Sequence, residues 1–85
     1  MKIQIIAVKD TAAQAFMTPS FVHATGVAIR EFGDIVNSTD HPISKHPTDY
    51  EMYSLGEFDD TTGTFNLPPN PVLLARGVDL VRTSH

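Results

Sequence analysis

The order of hydrophobic patterns along this chain predicts a single small α+β domain, with an antiparallel sheet packed against one main helix and a second, short one. Three observations lead there. Ile3 to Val8 is apolar on both faces, Val22 to Asn37 carries a helical period, and the stretches after Tyr50 alternate between turn signals. A strand with two apolar faces belongs inside a sheet, covered on part of each side.

The elements follow in order. Lys9 and Asp10 end the first strand, and Asp10 or Thr11 is placed to cap a single helical turn through Ala15 before Thr18-Pro19 breaks it. At 100° per residue, Ala24, Val27, Ala28, Phe32, Ile35 and Val36 share one apolar face of the main helix. The opposite strip carries Gly26, Arg30, Gly33 and Asn37. Each helical glycine costs about 1 kcal/mol against alanine, so Gly26 and Gly33 mark a strip for close approach by another backbone or a ligand.

Asp40 to Asp49 reads as a loop with prolines at 42 and 47, and Tyr50 to Phe58 reads as a strand. Asp59-Asp60-Thr61-Thr62-Gly63 is turn chemistry, with Gly63 in the left-handed position of a four-residue hairpin loop. That register sets Phe58 opposite Phe65. Asn70-Pro71 before Val72 and Gly77 after Arg76 frame a short helix, and Val78 to Arg82 alternates as a last strand. Residues 83–85 read as a loose tail. The resulting βαββαβ order is that of the ferredoxin-like sandwich.

Composition narrows the function classes. Eighty-five residues, 41% hydrophobic and 19% charged, make one domain with a modest core. The absence of cysteine excludes a disulfide framework, a thiolate nucleophile and a cysteine-bearing zinc finger. No apolar run approaches the ~18 residues of a spanning helix, so no membrane association is expected. The opening segment is too brief for a signal peptide, and an intracellular protein is the expectation. The net charge is −4, and the six basic residues (Lys2, Lys9, Arg30, Lys45, Arg76, Arg82) are scattered, which disfavours tight non-specific DNA binding.

No motif carries catalytic chemistry. His23, His41 and His46 lack a recognised ligand spacing, and His46-Pro47-x-Asp49 reads as a turn whose side chains bond local backbone. The Glu57, Asp59, Asp60 group fails the calcium-loop pattern. Nucleophile-elbow, dinucleotide and phosphate-loop sequences are missing. No catalytic residue, metal or cofactor is therefore expected. The first strand has no aromatic, which argues against base stacking in the manner of an RRM. Tyr50, Tyr53 and Phe58 remain candidates to stack single-stranded bases.

Several blocks together resemble one family. They are Met1-Lys2-Ile3 and Ala7-Val8-Lys9-Asp10, Pro19-x-Phe21-Val22, and Gly26-x-Ala28-Ile29-Arg30-x-Phe32-x-Asp34-x-Val36-Asn37. Ser44-Lys45-His46-Pro47-x-Asp49-Tyr50-Glu51-Met52-Tyr53 and Leu55-Gly56-Glu57-Phe58-Asp59-Asp60-x-Thr62-Gly63 complete the set. The pattern, spanning nearly the whole chain, is similar to the small nonstructural protein of gokushoviruses, single-stranded DNA phages of the Microviridae. The resemblance implies an early phage protein of the host bacterial cytoplasm, absent from the mature virion and described as DNA-binding. It implies a role like that of the small microvirus protein that shifts replication from duplex copying to single-strand genome synthesis.

The leading expectation is a non-enzymatic replication accessory protein that binds single-stranded DNA, the phage replication initiator, or both. Arg30, Lys45, His46, Tyr50 and Tyr53 are the expected contacts, with Lys9 away from that surface. The alternative is a homo-oligomeric interaction module that acts on a phage or host protein without touching DNA. Association is expected in either case from the modest core, the glycine strip and open sheet edges.

Overall fold

The computed structural model describes residues 1–82; the segment read as a loose tail, 83–85, lies outside the described residues. Its centre is β1 (Lys2–Asp10), which pairs along its whole length with β4 (Tyr50–Asp59). Both are antiparallel, and each carries a broken strand on its outer edge. Along β1 run β2 (Ala15–Phe16) and β3 (Ser20–Val22), interrupted at Thr18-Pro19. Along β4 run β5 (Thr64–Asn66) and β6 (Val72–Arg76), interrupted by the proline-rich segment between them. The product is a six-stranded antiparallel sheet in an α+β fold. As its two-sided apolarity predicts, β1 is interior, with Ile5, Ile6 and Ala7 all buried.

The helices lie on one side. α1 (Thr25–Val36) and the single turn α2 (Pro42–Lys45) pack Ala28, Phe32, Val36 and Ile43 onto Ile6 and Met52 of the sheet. The observed helix starts three residues later than the periodicity implies, because Val22 is held in β3 opposite Gln4. Its buried face is also turned: Val27 and Ile35, expected inward, are 42% and 37% exposed, and Gly33 is buried instead. The reason is the C-terminal segment. A 3-10 turn over Gly77–Leu80 lays Leu80 on Gly33, with Cβ and Cδ1 3.9 Å from where an alanine methyl would stand. Asn37 fastens it, its side-chain amide donating to the Leu80 carbonyl at 2.9 Å and its Oδ1 accepting from the Arg82 N–H at 2.7 Å.

The element order differs from the ferredoxin-like βαββαβ order that the sequence predicts. Val72–Arg76, expected as a short helix, is β6, and Val78 to Arg82, expected as a strand, falls largely in the 3-10 turn. Five residues gain too few helical bonds to offset nucleation, whereas as a strand they satisfy the free edge of β4. The turn after Asp10 is likewise no helix: Asp10 Oδ1 accepts from the N–H groups of Ala12 and Ala13, and the chain folds straight back as a hairpin. The loop expected between 40 and 49 contains α2 and a 3-10 turn over Pro47–Asp49, the former capped by His41, whose Nδ1 accepts from Ile43 N–H at 3.1 Å. A histidine bonding local backbone is present here, though at 41 and not at 46.

The β4–β5 hairpin matches expectation. Asp59 pairs with Thr64 across the loop, Phe58 with Phe65, and Gly63 has φ +69°. Nothing lies within 4 Å of a methyl added there, so Gly63→Ala should cost only the backbone term, about 1 kcal/mol in a denaturant melt. A variant as stable as the parent would contradict the left-handed turn.

An aromatic face on the uncovered side of the sheet

Register assigns each strand residue to a side. Gln4, Ile6, Val8, Val22, Tyr50, Met52 and Ala75 share the helix side, while Ile3, Ile5, Ala7 and Lys9 point the other way. With the latter group go Phe16 (opposite Lys9), Phe21 (opposite Ile5), Tyr53 (opposite Ala7), Phe58 (opposite Ile3) and Phe65 (opposite Phe58). Five of the seven aromatic residues thus collect on the face that carries no helix. Two groups form. Phe16 and Tyr53 meet edge to face at 5.5 Å, and Phe58 bridges Phe21 at 6.1 Å and Phe65 at 5.1 Å.

The Phe16 end is charged. Lys9 Nζ stands 5.5 Å over the Phe16 ring, and directly opposite Lys9 across the ladder lies Glu51, itself opposite Arg76. Glu51 accepts from the Tyr53 hydroxyl at 2.9 Å and lies 3.7 Å from Arg76 Nε. That hydrogen bond, followed by burial, raises the Tyr53 pKa, which keeps the hydroxyl a donor. Phe16, Lys9, Glu51 and Arg76 make one row across four strands, with Tyr53 beside it. Lys9 thus stands over an exposed aromatic ring of this face, and Arg76 closes the row beyond Glu51.

The residues expected to form a site are divided. Tyr50 and Tyr53 fall on opposite sides of the sheet, an odd separation on a strand guaranteeing as much. Tyr50 packs against the helix-side core, and its pKa is raised by burial, then by Asp10 and Asp49. Arg30 is exposed on α1, and Lys45 is exposed on α2 with Nζ 3.1 Å from Asp40. His46 is exposed where α2 meets the next turn. These belong with the helices, away from Tyr53. Lys9, expected to be remote, is on the aromatic face. The glycine strip divides too: Gly33 receives the chain's own Leu80, while Gly26 has nothing within 4 Å.

A cavity of about 280 Å³ opens on the helix side between α1, His41 and the β2–β3 edge; its walls are mainly apolar, with Thr18, Ser20, Glu31 and His41 as the polar residues. Among the described residues no three His, Cys, Asp or Glu side chains converge to hold a metal ion, and no helix is long and apolar enough to cross a membrane.

No curated protein and no solved structure matches the chain. The family model described as Phage ORF5 protein matches residues 3–80, from the first strand through the 3-10 turn that closes on α1. The chain belongs to this phage protein family.

Proposed function

We propose that this protein is a non-enzymatic replication accessory factor of a gokushovirus-type member of the Microviridae, working in the host cytoplasm by binding single-stranded DNA on the open sheet face. The observation that carries the reading is the row formed by Phe16, Lys9, Glu51 and Arg76 with Tyr53 beside it. Single strands present unpaired base faces, and stacking on exposed aromatics contributes about 1–3 kcal/mol per base. Lys9 and Arg76 supply charge for the backbone at the same end. Two cations suit a chain of net charge −4, since contact with few phosphates needs little positive potential.

The test is fluorescence anisotropy with a labelled oligothymidylate at low salt. Phe16→Ala should weaken binding about 5- to 150-fold. With two phosphates neutralised, log affinity should fall against log salt with a slope of about −1.4, and Lys9→Glu should bring that slope toward about −0.7. Lys45→Glu, on the helix side, should change neither quantity. A flat titration at high micromolar protein would remove the DNA reading and leave a module that acts on a phage or host protein. A loss caused by Lys45→Glu and not by Lys9→Glu would return the site to the helix side.

A further inference from the structure

The row proposed for DNA contains one anion, and an anion on a phosphate-binding surface weakens binding unless another part of the ligand offsets the repulsion. Glu51 lies between Lys9 and Arg76 in the ladder. A carboxylate that served only to tie these cations together would hydrogen-bond to one or both. Arg76 Nε instead stands 3.7 Å from Oε2, longer than a hydrogen bond, and Lys9 Nζ is placed over the Phe16 ring. Hydrogen bonding is confined to Oε1, which accepts from the Tyr53 hydroxyl at 2.9 Å. Oε2 has no hydrogen-bond donor among the described residues, and it is open to solvent, since no buried side-chain oxygen among them lacks a partner. The Glu51 side chain is only 22% exposed. A largely shielded carboxylate is thus held at the rim of an aromatic ring, with one oxygen left to accept.

From this placement we infer that Glu51 is a specificity-determining residue, which favours cytosine over uracil and thymine in a bound single strand. This selectivity rests on the single-stranded DNA reading and names the base that the same site prefers. A pyrimidine in an offset stack on Tyr53 brings its edge to the hydroxyl end of the ring, beside the carboxylate. An ionised carboxylate can only accept. Cytosine presents its N4 amino group there as a donor, the pairing by which carboxylates read this base elsewhere. Uracil and thymine present O4 instead, which sets a lone pair against an anion. Their one donor, N3–H, lies between two carbonyl groups that the carboxylate would also have to approach. Tyr53 is the positioning residue of the pair, because its hydroxyl holds Oε1 and so leaves Oε2 to face the ligand.

The test is fluorescence anisotropy of the full chain with labelled oligodeoxycytidylate and oligodeoxyuridylate of equal length at low salt. The two bases match in size and differ only at ring positions 3 and 4, so stacking and phosphate contacts are held constant. Oligodeoxycytidylate should bind about 5-fold or more tightly, the low end of what one such contact discriminates. Glu51→Gln is nearly isosteric and can still accept from Tyr53. It should bring the two affinities together, with oligodeoxyuridylate bound as tightly as by the parent or more so. Should that variant lose its fold by circular dichroism, Tyr53→Phe takes its place: it keeps the ring, releases the carboxylate and should reduce the preference.

Equal affinities in the parent would overturn the assignment and leave the DNA reading standing. A preference that persists in the folded variant would do the same, with Glu51 acting only on the charge of its neighbours. If neither oligonucleotide binds at high micromolar protein, the DNA reading itself falls and the selectivity falls with it.

Discussion

Gly56→Ala is expected to remove about 3 kcal/mol or more of folding stability, the largest effect of any single methyl on the sheet. The residue has φ +134°, a conformation that side chains rarely adopt. An added methyl would stand 2.5 Å from the Asn66 carbonyl oxygen and 2.8 Å from Leu67 Cδ2. Backbone strain of this kind costs about 1–3 kcal/mol, and overpacking against a backbone atom a similar amount. The cause lies in the register. Ile5 opposes Gly56 and Ile6 opposes Ser54, so Leu55 is an extra residue, and this bulge turns β4 to bring the β5 end of the chain across Gly56. With a urea dependence of about 1 kcal/mol/M for so small a domain, the midpoint should drop by roughly 3 M. An unchanged midpoint would mean the bulge is not where the register places it.

Phe32→Ala should cost about 3–5 kcal/mol, enough to leave much of a marginally stable domain unfolded at room temperature. Phe32 is 2% exposed and packs among Ile6, Ala28, Val36, Ile43 and Met52, the one cluster that joins α1, α2 and the sheet. Val27→Ala is the informative companion. Helical periodicity puts both residues on one face, yet Val27 is 42% exposed, so its truncation should stay within about 0.5 kcal/mol. Comparable losses in the two variants, measured by the same melt, would show that α1 is rotated from the described position.

That pair marks how far periodicity carries. A 100° pattern locates a helix and its broad apolar side, but the arc that becomes buried depends on what else arrives. Here Leu80 arrives from 43 residues beyond Asn37, on a 3-10 turn, and takes the Gly33 side. The glycine strip did announce a close approach, and the approaching chain is the protein's own. Similarly, Asn70, Pro71 and Gly77 are good helix boundary residues, yet five residues between them form a strand once an unpaired edge of β4 is available. Boundary chemistry states which ends are permitted, and pairing partners select between the permitted states.

The candidate site divides along the same line. An interior first strand, the Gly63 turn and the Phe58–Phe65 pair were all legible, because each depends on neighbours close in sequence or on simple alternation. Alternation also shows that Tyr50 and Tyr53 cannot share a face, a signal that a reading by composition passed over. Nothing local reveals that Phe16, Phe21, Tyr53 and Phe65 belong to one surface with Lys9 and Arg76. They come from all six strands, and the two bulges in β4's pairings alter which residues share a side. Local chemistry settled the first strand, the main helix and the hairpin, because turn residues and hydrophobic period act over a few positions. The tertiary structure decided the open aromatic face, because cross-strand register sets which distant side chains become neighbours, and one inserted residue in a ladder reassigns every side chain beyond it.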